Sequence, residues 1–317
     1  MQGHENTPLM PKSALVYFLD EKASTVPYHK VSSIRSCLEN IVETIFVHII
    51  DPDKKSDWRR SSLSGQLELL ACFFPADINE RIRAIRLLGN KGAHQDKHKQ
   101  LSDDAISVSL SDLSRICEWT ILSYFKKNGF TSHPWIPTVF STLPPVYRVR
   151  ILEELMDFDS VDNVEVRAYL DDVQDHQYRV LTGQISPENH EPTEQENKFV
   201  GFLLTIDKLA MAYLKNKELN KALDFLEDVF QKGFINETFR SQMLEKLQML
   251  EQNFDELPIA ASLDQTRRAL EKILPVVRED EQSLFITLFS AIVLEKPDDT
   301  LDSKGADEAL LKPSPLI

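Results

Sequence analysis

The sequence predicts an all-α protein in two parts. Apolar residues recur at three- and four-residue spacing through most of the 317 positions, and no alternating strand pattern of any length interrupts them. Only 9 residues are glycine, and most of the 16 prolines are clustered. Charge divides the chain as well. Residues 1–150 hold 19 Lys+Arg against 16 Asp+Glu, whereas residues 151–317 hold 17 against 34.

Taken in order, residues 1–12 read as a flexible N-terminus. Val31, Ile34, Leu38, Ile41, Val42, Ile45, Phe46 and Ile49 then predict a helix, ended by Asp51-Pro52-Asp53. A second helix covers Leu63 to Phe74 and stops at Pro75. Asp77 is the expected N-cap of a third, with Glu80 in the capping-box position and Gly89 and Gly92 expected to weaken or kink its end. A fourth starts at Asp103 or Asp104 and carries Ile106, Leu110, Leu113, Cys117 and Tyr124 on one side. Four amphipathic helices with short connections predict an up-and-down bundle over residues 13–130. Pro134, Pro137, Pro144 and Pro145, interleaved with Ser and Thr, predict a linker over 131–145. An acidic helical domain follows over 146–296. Its helices are expected at 146–155, in a pair at 198–230, and at 237–253, 263–277 and 281–294, with an exposed loop at 183–197. The tail, 297–317, is expected to be disordered.

Several classes of function are excluded by what the chain lacks. It contains no GxxxxGK[ST], GxGxxG or HExxH motif. No apolar run approaches the ~20 residues that span a bilayer, and the first residues do not resemble a signal peptide. A cytoplasmic protein with no membrane association and no cofactor is expected. Cys37, Cys72 and Cys117 are isolated within apolar runs, so each is expected to be a buried free thiol. His94 and His98 have helical metal-ligand spacing, yet no third ligand follows and Lys97 and Lys99 oppose a dication, so no metal is expected.

The chemistry-bearing stretch is Ile82 to His94. At about 100° per residue, Ile78, Ile82 and Ile85 share a narrow core-facing wedge, while Arg83, Asn90 and His94 share another face with Arg86 beside them. Arg81, Arg83, Arg86, Lys91, Lys97 and Lys99 concentrate positive charge there. Two readings fit. The cluster binds and polarises a phosphate, or it ties helices together, with His94 packed over Asn90 and Arg86 paired to Glu39 or Glu43.

Residues 28–130 resemble the HEPN-like helical domains, closest to an uncharacterised branch found in restriction and other defence proteins. The likeness rests on Ile34-Arg35-Ser36-Cys37-Leu38-Glu39-Asn40-Ile41-Val42, on Leu63-Ser64-Gly65-Gln66-Leu67-Glu68-Leu69-Leu70, and above all on Ile85-Arg86-Leu87-Leu88-Gly89-Asn90-Lys91-Gly92-Ala93-His94. Catalytic members of that superfamily are metal-independent ribonucleases whose site forms across a dimer. The resemblance implies His94 as acid/base and Arg86 as phosphate clamp, with Asn90, Arg83 and Lys91 as auxiliaries and a homodimer as the assembly. Seven residues separate Arg86 from His94, one more than the strict motif allows. In the second half, residues 201–234 resemble a single tetratricopeptide-type hairpin through Tyr213, Ala222, Phe225 and Leu226.

Two functions follow as expectations. One is an RNA- or nucleotide-handling protein, in its strongest form a metal-independent endoribonuclease of a bacterial defence or toxin-type system. The other is a non-catalytic adaptor or assembly subunit whose acidic half binds a partner protein of a defence or nucleic-acid-processing complex.

Overall fold

A computed structural model describes residues 9–49, 55–72, 74–93, 101–133, 135–184 and 193–257, with six isolated positions between Thr266 and Val277. All regular structure among the described residues is helical, as expected. None of these helices is long and apolar enough to cross a membrane. The chain divides into one unit of Met1–Ile121 with Leu263–Ile317, and a second of Leu122–Ser262. Apart from the isolated positions, the helices expected at 263–277 and 281–294 and the tail at 297–317 lie outside the described residues.

The first unit opens earlier than the sequence suggested. Leu9 and Met10 are fully buried, and the Pro11 carbonyl accepts the first hydrogen bonds of α1 (Lys12–Ala23) from Ala14 and Leu15. Ala14 to Leu19 are apolar without interruption, so no helical period marks α1 in the sequence, and the helix is anchored by packing on α2 (Pro27–Ile49). Proline suits the first turn of α2, because its fixed φ is helical and its missing N–H has no partner to lose there. Val31, Ile34, Leu38, Ile41 and Val42 are fully buried along α2, the stripe that periodicity predicted. The side chains of Ile45, Phe46 and Ile49 lie outside the described residues.

Two short helices follow, α3 (Lys55–Arg60) and α4 (Leu63–Leu70), with the Ser62 hydroxyl accepting from the Gly65 N–H at the start of α4. Next, α5 (Ala76–Ala93) begins one residue before its expected cap, so Asp77 lies inside the first turn instead of capping it. The turn before α5 is held by Asn79, whose amide donates to the carbonyls of Phe74 at 2.8 Å and Ala71 at 3.0 Å. The helix continues through Gly89 and Gly92 to Ala93. Finally, α6 (Asp103–Asn128) starts where predicted and buries Ile106, Leu113 and Cys117.

The division between units falls inside α6, not in the proline-rich stretch. Residues 131–145 are not an extended linker. They contain α7 (Ile136–Phe140), and Ile136, Val139, Phe140 and Leu143 are fully buried. Phe125, Phe130 and Phe140 meet edge-to-face, with centroids 5.1, 5.5 and 5.3 Å apart. Such pairs contribute about 0.5–1.5 kcal/mol each beyond their buried area. Prolines here start helices, since Pro145 opens α8 (Pro145–Leu155).

The rest of the second unit is helical packing centred on one long helix. After α9 (Asn163–Leu181), capped by the Asp162 carboxylate, comes α10 (Glu194–Lys215), whose Thr193 and Glu196 form a full capping box. The loop expected through residue 197 therefore ends at Thr193, and 185–192 lie outside the described residues. Helices α11 (Leu219–Gln231) and α12 (Glu237–Gln252) complete the unit, and α10 packs on α8, α11 and α12. The α10–α11 pair is the helical pair expected at 198–230. Ala210, Ala212 and Ala222 are fully buried, and the Tyr213 and Phe225 rings lie 6.0 Å apart.

Candidate functional site

The motif on α5 is built from its apolar face upward. Ile78, Ile82 and Ile85 are buried, which turns the polar positions of the same helix toward its neighbours and solvent. Gly89 sets the next step. A Cβ built there would stand 2.7 Å from the Cβ of Arg35, so α2 and α5 approach more closely than any other residue would allow. That approach brings Asn90 to Arg35, whose Nη1 donates to Asn90 Oδ1 at 2.7 Å. Arg35 Nε also donates to Glu39 Oε1 at 2.9 Å.

Two of the three arginines of α5 reach other helices. Arg86 Nη1 donates to the Ser64 hydroxyl on α4, and Arg81 pairs with the buried Asp112 of α6. The Nε atoms of Arg81 and Arg86 are buried with no hydrogen-bond partner. Arg83 and Lys91 are exposed. His94, on which the acid/base expectation rests, lies outside the described residues, as do Asp96, Lys97, His98 and Lys99.

These contacts change the expected pairing. Glu39 is engaged by Arg35, and Arg86 bonds to Ser64 instead of to Glu39 or Glu43. Arg35 is the residue that motif reading passed over. Its signal was present, because at about 100° per residue it lies near Val31 and Val42 on the buried face of α2. An arginine on a core-facing stripe needs a polar partner from the helix opposite, and Asn90 supplies one.

The thiols offer no nucleophile in the core. Burial, aided by Glu21 and Asp20, pushes Cys37 up to about 12, and burial with the Glu118 charge raises Cys117 further. Cys72 is exposed, against the expectation that all three are buried. Its position at the turn after α4 takes it off the helix's apolar face. No group of three metal-ligating side chains occurs among the described residues.

In the second unit one polar tie runs between α8 and α10. The Tyr213 hydroxyl donates to Glu153 Oε1 at 2.7 Å, and burial together with that carboxylate raises the phenol above its ordinary value. Helix α9 is different in kind. Val166 is its one buried residue, while Val164, Tyr178 and Leu181 are 72, 62 and 87% exposed. Comparison with known proteins places none of this in a family: no family model, curated protein or solved structure matches the chain.

Proposed function

We propose that the protein is a non-catalytic adaptor, in which the α5 motif is a structural tie and the acidic helical unit docks on a basic partner protein. The observation that carries this reading is the engagement of the motif from within. Asn90 and Glu39 are both held by Arg35, and Arg86 is held by Ser64. Groups committed to neighbouring helices are poorly placed to clamp a scissile phosphate, and together they fasten α2, α4 and α5.

The second unit supplies the docking face. It holds 14 Lys+Arg against 23 Asp+Glu. Tyr178 and Leu181 are exposed on α9, and at about 100° per residue Asp171 and Asp175 fall on the same side of the helix as Tyr178, so an aromatic group stands beside two carboxylates. A partner with a basic, aromatic-accepting groove complements it, as a nucleic-acid-handling subunit would.

Exposed Arg83 and Lys91 support the second reading, a metal-independent ribonuclease using His94 and Arg86. One pair of experiments separates the two. The full-length chain and its Y178E/L181E variant are used to capture partners, which are identified and then reconstituted from purified components. In parallel, end-labelled RNA is incubated with the full-length chain and with H94A in EDTA. The adaptor reading expects a basic partner that the α9 variant fails to bind, and no cleavage. Cleavage lost in H94A would overturn it in favour of the nuclease.

A further inference from the structure

We propose that the outward face of α5 pairs with the same face of a second copy of the chain, the two helices running antiparallel. Glu80, Ala84, Leu87 and Lys91 are all exposed, Leu87 at 54%. At about 100° per residue they fall within about 60° of one another, on the side of α5 away from buried Ile78, Ile82 and Ile85 and from Gly89. Their spacing of four, three and four residues keeps them in one straight seam, as the contact positions of a coiled coil are kept.

The two charges that end the seam are not engaged within the chain. Among the described residues no ion pair or side-chain hydrogen bond holds Glu80 or Lys91. They stand about 16 Å apart along the helix axis, too far to pair with each other. Their neighbours on the helix differ. Arg81 pairs with Asp112, Arg86 bonds to Ser64, Asn90 accepts from Arg35, and Asn79 donates to the carbonyls of Ala71 and Phe74.

The seam is its own complement. Its spacing reads the same from either end, so a two-fold axis between Ala84 and Leu87 sets Glu80 of each copy opposite Lys91 of the other. The same axis sets each Leu87 against the small Ala84 of the second copy. The contact then has an apolar centre closed by an ion pair at each end, with Arg83 at the rim, about 70° round the helix from the middle of the seam. A parallel pairing would oppose Glu80 to Glu80 and Lys91 to Lys91, so charge fixes the antiparallel sense. One helix per copy buries less than the roughly 1,200 Å² at which stable interfaces begin, so the dimer is expected to depend on concentration. The pairing is independent of the adaptor reading, since it uses neither α9 nor the Arg35–Asn90 tie.

Sedimentation velocity of the full-length chain is the test, carried to about 100 μM as a contact of this size requires. Monomer and dimer are expected to exchange with concentration, and the dimer to weaken as salt rises. E80K and K91E should each weaken dimerisation about ten-fold, because two ion pairs per dimer become repulsions. The double variant E80K/K91E should restore it. Mixing E80K with K91E should restore it as well, since two lysines then face two glutamates. L87E should abolish it, and substitutions on this exposed face leave the fold intact. A chain that stays monomeric, a dimer undiminished in L87E, or charge variants that fail to recover on mixing would overturn the proposal. Binding of RNA to a monomeric chain, lost in K91E, would overturn it in favour of a nucleic-acid face.

Discussion

Replacing Gly89 with alanine sets two effects of opposite sign against each other. Helix α5 runs unbroken through this position, so alanine restores helix propensity worth about 1 kcal/mol. The added Cβ, however, meets Arg35 at Cβ, Cδ and Cγ at 2.7, 3.0 and 3.1 Å. The nearest of these is the root of the side chain, fixed by the backbone of α2, so rotation cannot relieve it. The two helices must separate by several tenths of an ångström. Overpacking of this kind costs about 1–3 kcal/mol, and it also stretches the 2.7 Å Arg35–Asn90 hydrogen bond. A hydrogen bond to a charged group is worth about 1.5–3 kcal/mol. The losses exceed the gain, and G89A is expected to destabilise the protein by about 1–3 kcal/mol, the range set by the overpacking term. Urea unfolding followed by far-UV circular dichroism reads this as a lower midpoint with an unchanged slope. A variant as stable as the parent would mean that α2 and α5 are not in the close contact described.

Two further outcomes check other parts of the fold. Under native conditions a thiol reagent should modify Cys72 rapidly and leave Cys37 and Cys117 protected until the chain unfolds; rapid reaction of more than one thiol would contradict the packing of α2 or α6. Tyr213 has a folded-state pKa above its unfolded value of about 10, so its contribution is fully present below pH 10 and is lost as pH rises beyond it. Y213F should therefore be less stable near neutrality by about 1 kcal/mol, and its urea midpoint should fall less steeply above pH 10. Identical alkaline slopes in parent and variant would rule out the Tyr213–Glu153 bond as the cause.

How far the fold could be read from sequence depended on the length of each periodic run. The stripe from Val31 to Val42 and the α10–α11 pair were legible because many apolar residues repeat at helical spacing. α1 and α7 were not, since the apolar residues of α1 run together without a period and α7 has only five residues, and both take their stability from packing that no local pattern encodes. The prolines of 131–145 misled for a related reason. Proline reads as a breaker, yet at Pro137 and Pro145 it occupies the first turn of a helix, where its missing N–H costs nothing. At the candidate site, the importance of the Gly89-Asn90 pair was legible, but its partner was not. Arg35 lies 55 residues from Asn90, and only the crossing of α2 and α5 brings them together.

Helix α9 has an unequal grip on the rest of its unit. Asn163 donates to the Lys232 carbonyl, Asn236 donates to Asp171, and Thr238 donates to Gln174. Beyond Gln174 no hydrogen bond to another helix is formed among the described residues, and all but Val180 from Asp175 to Leu181 are exposed. Isolated helical turns are marginal in water, so amide hydrogen exchange should quicken along α9 from Val166 toward Leu181. The far end of the helix is then an adjustable element whose length is set by what lies against it. Covering Tyr178 and Leu181 would slow exchange over those last two turns, and part of the contact energy would go into ordering them.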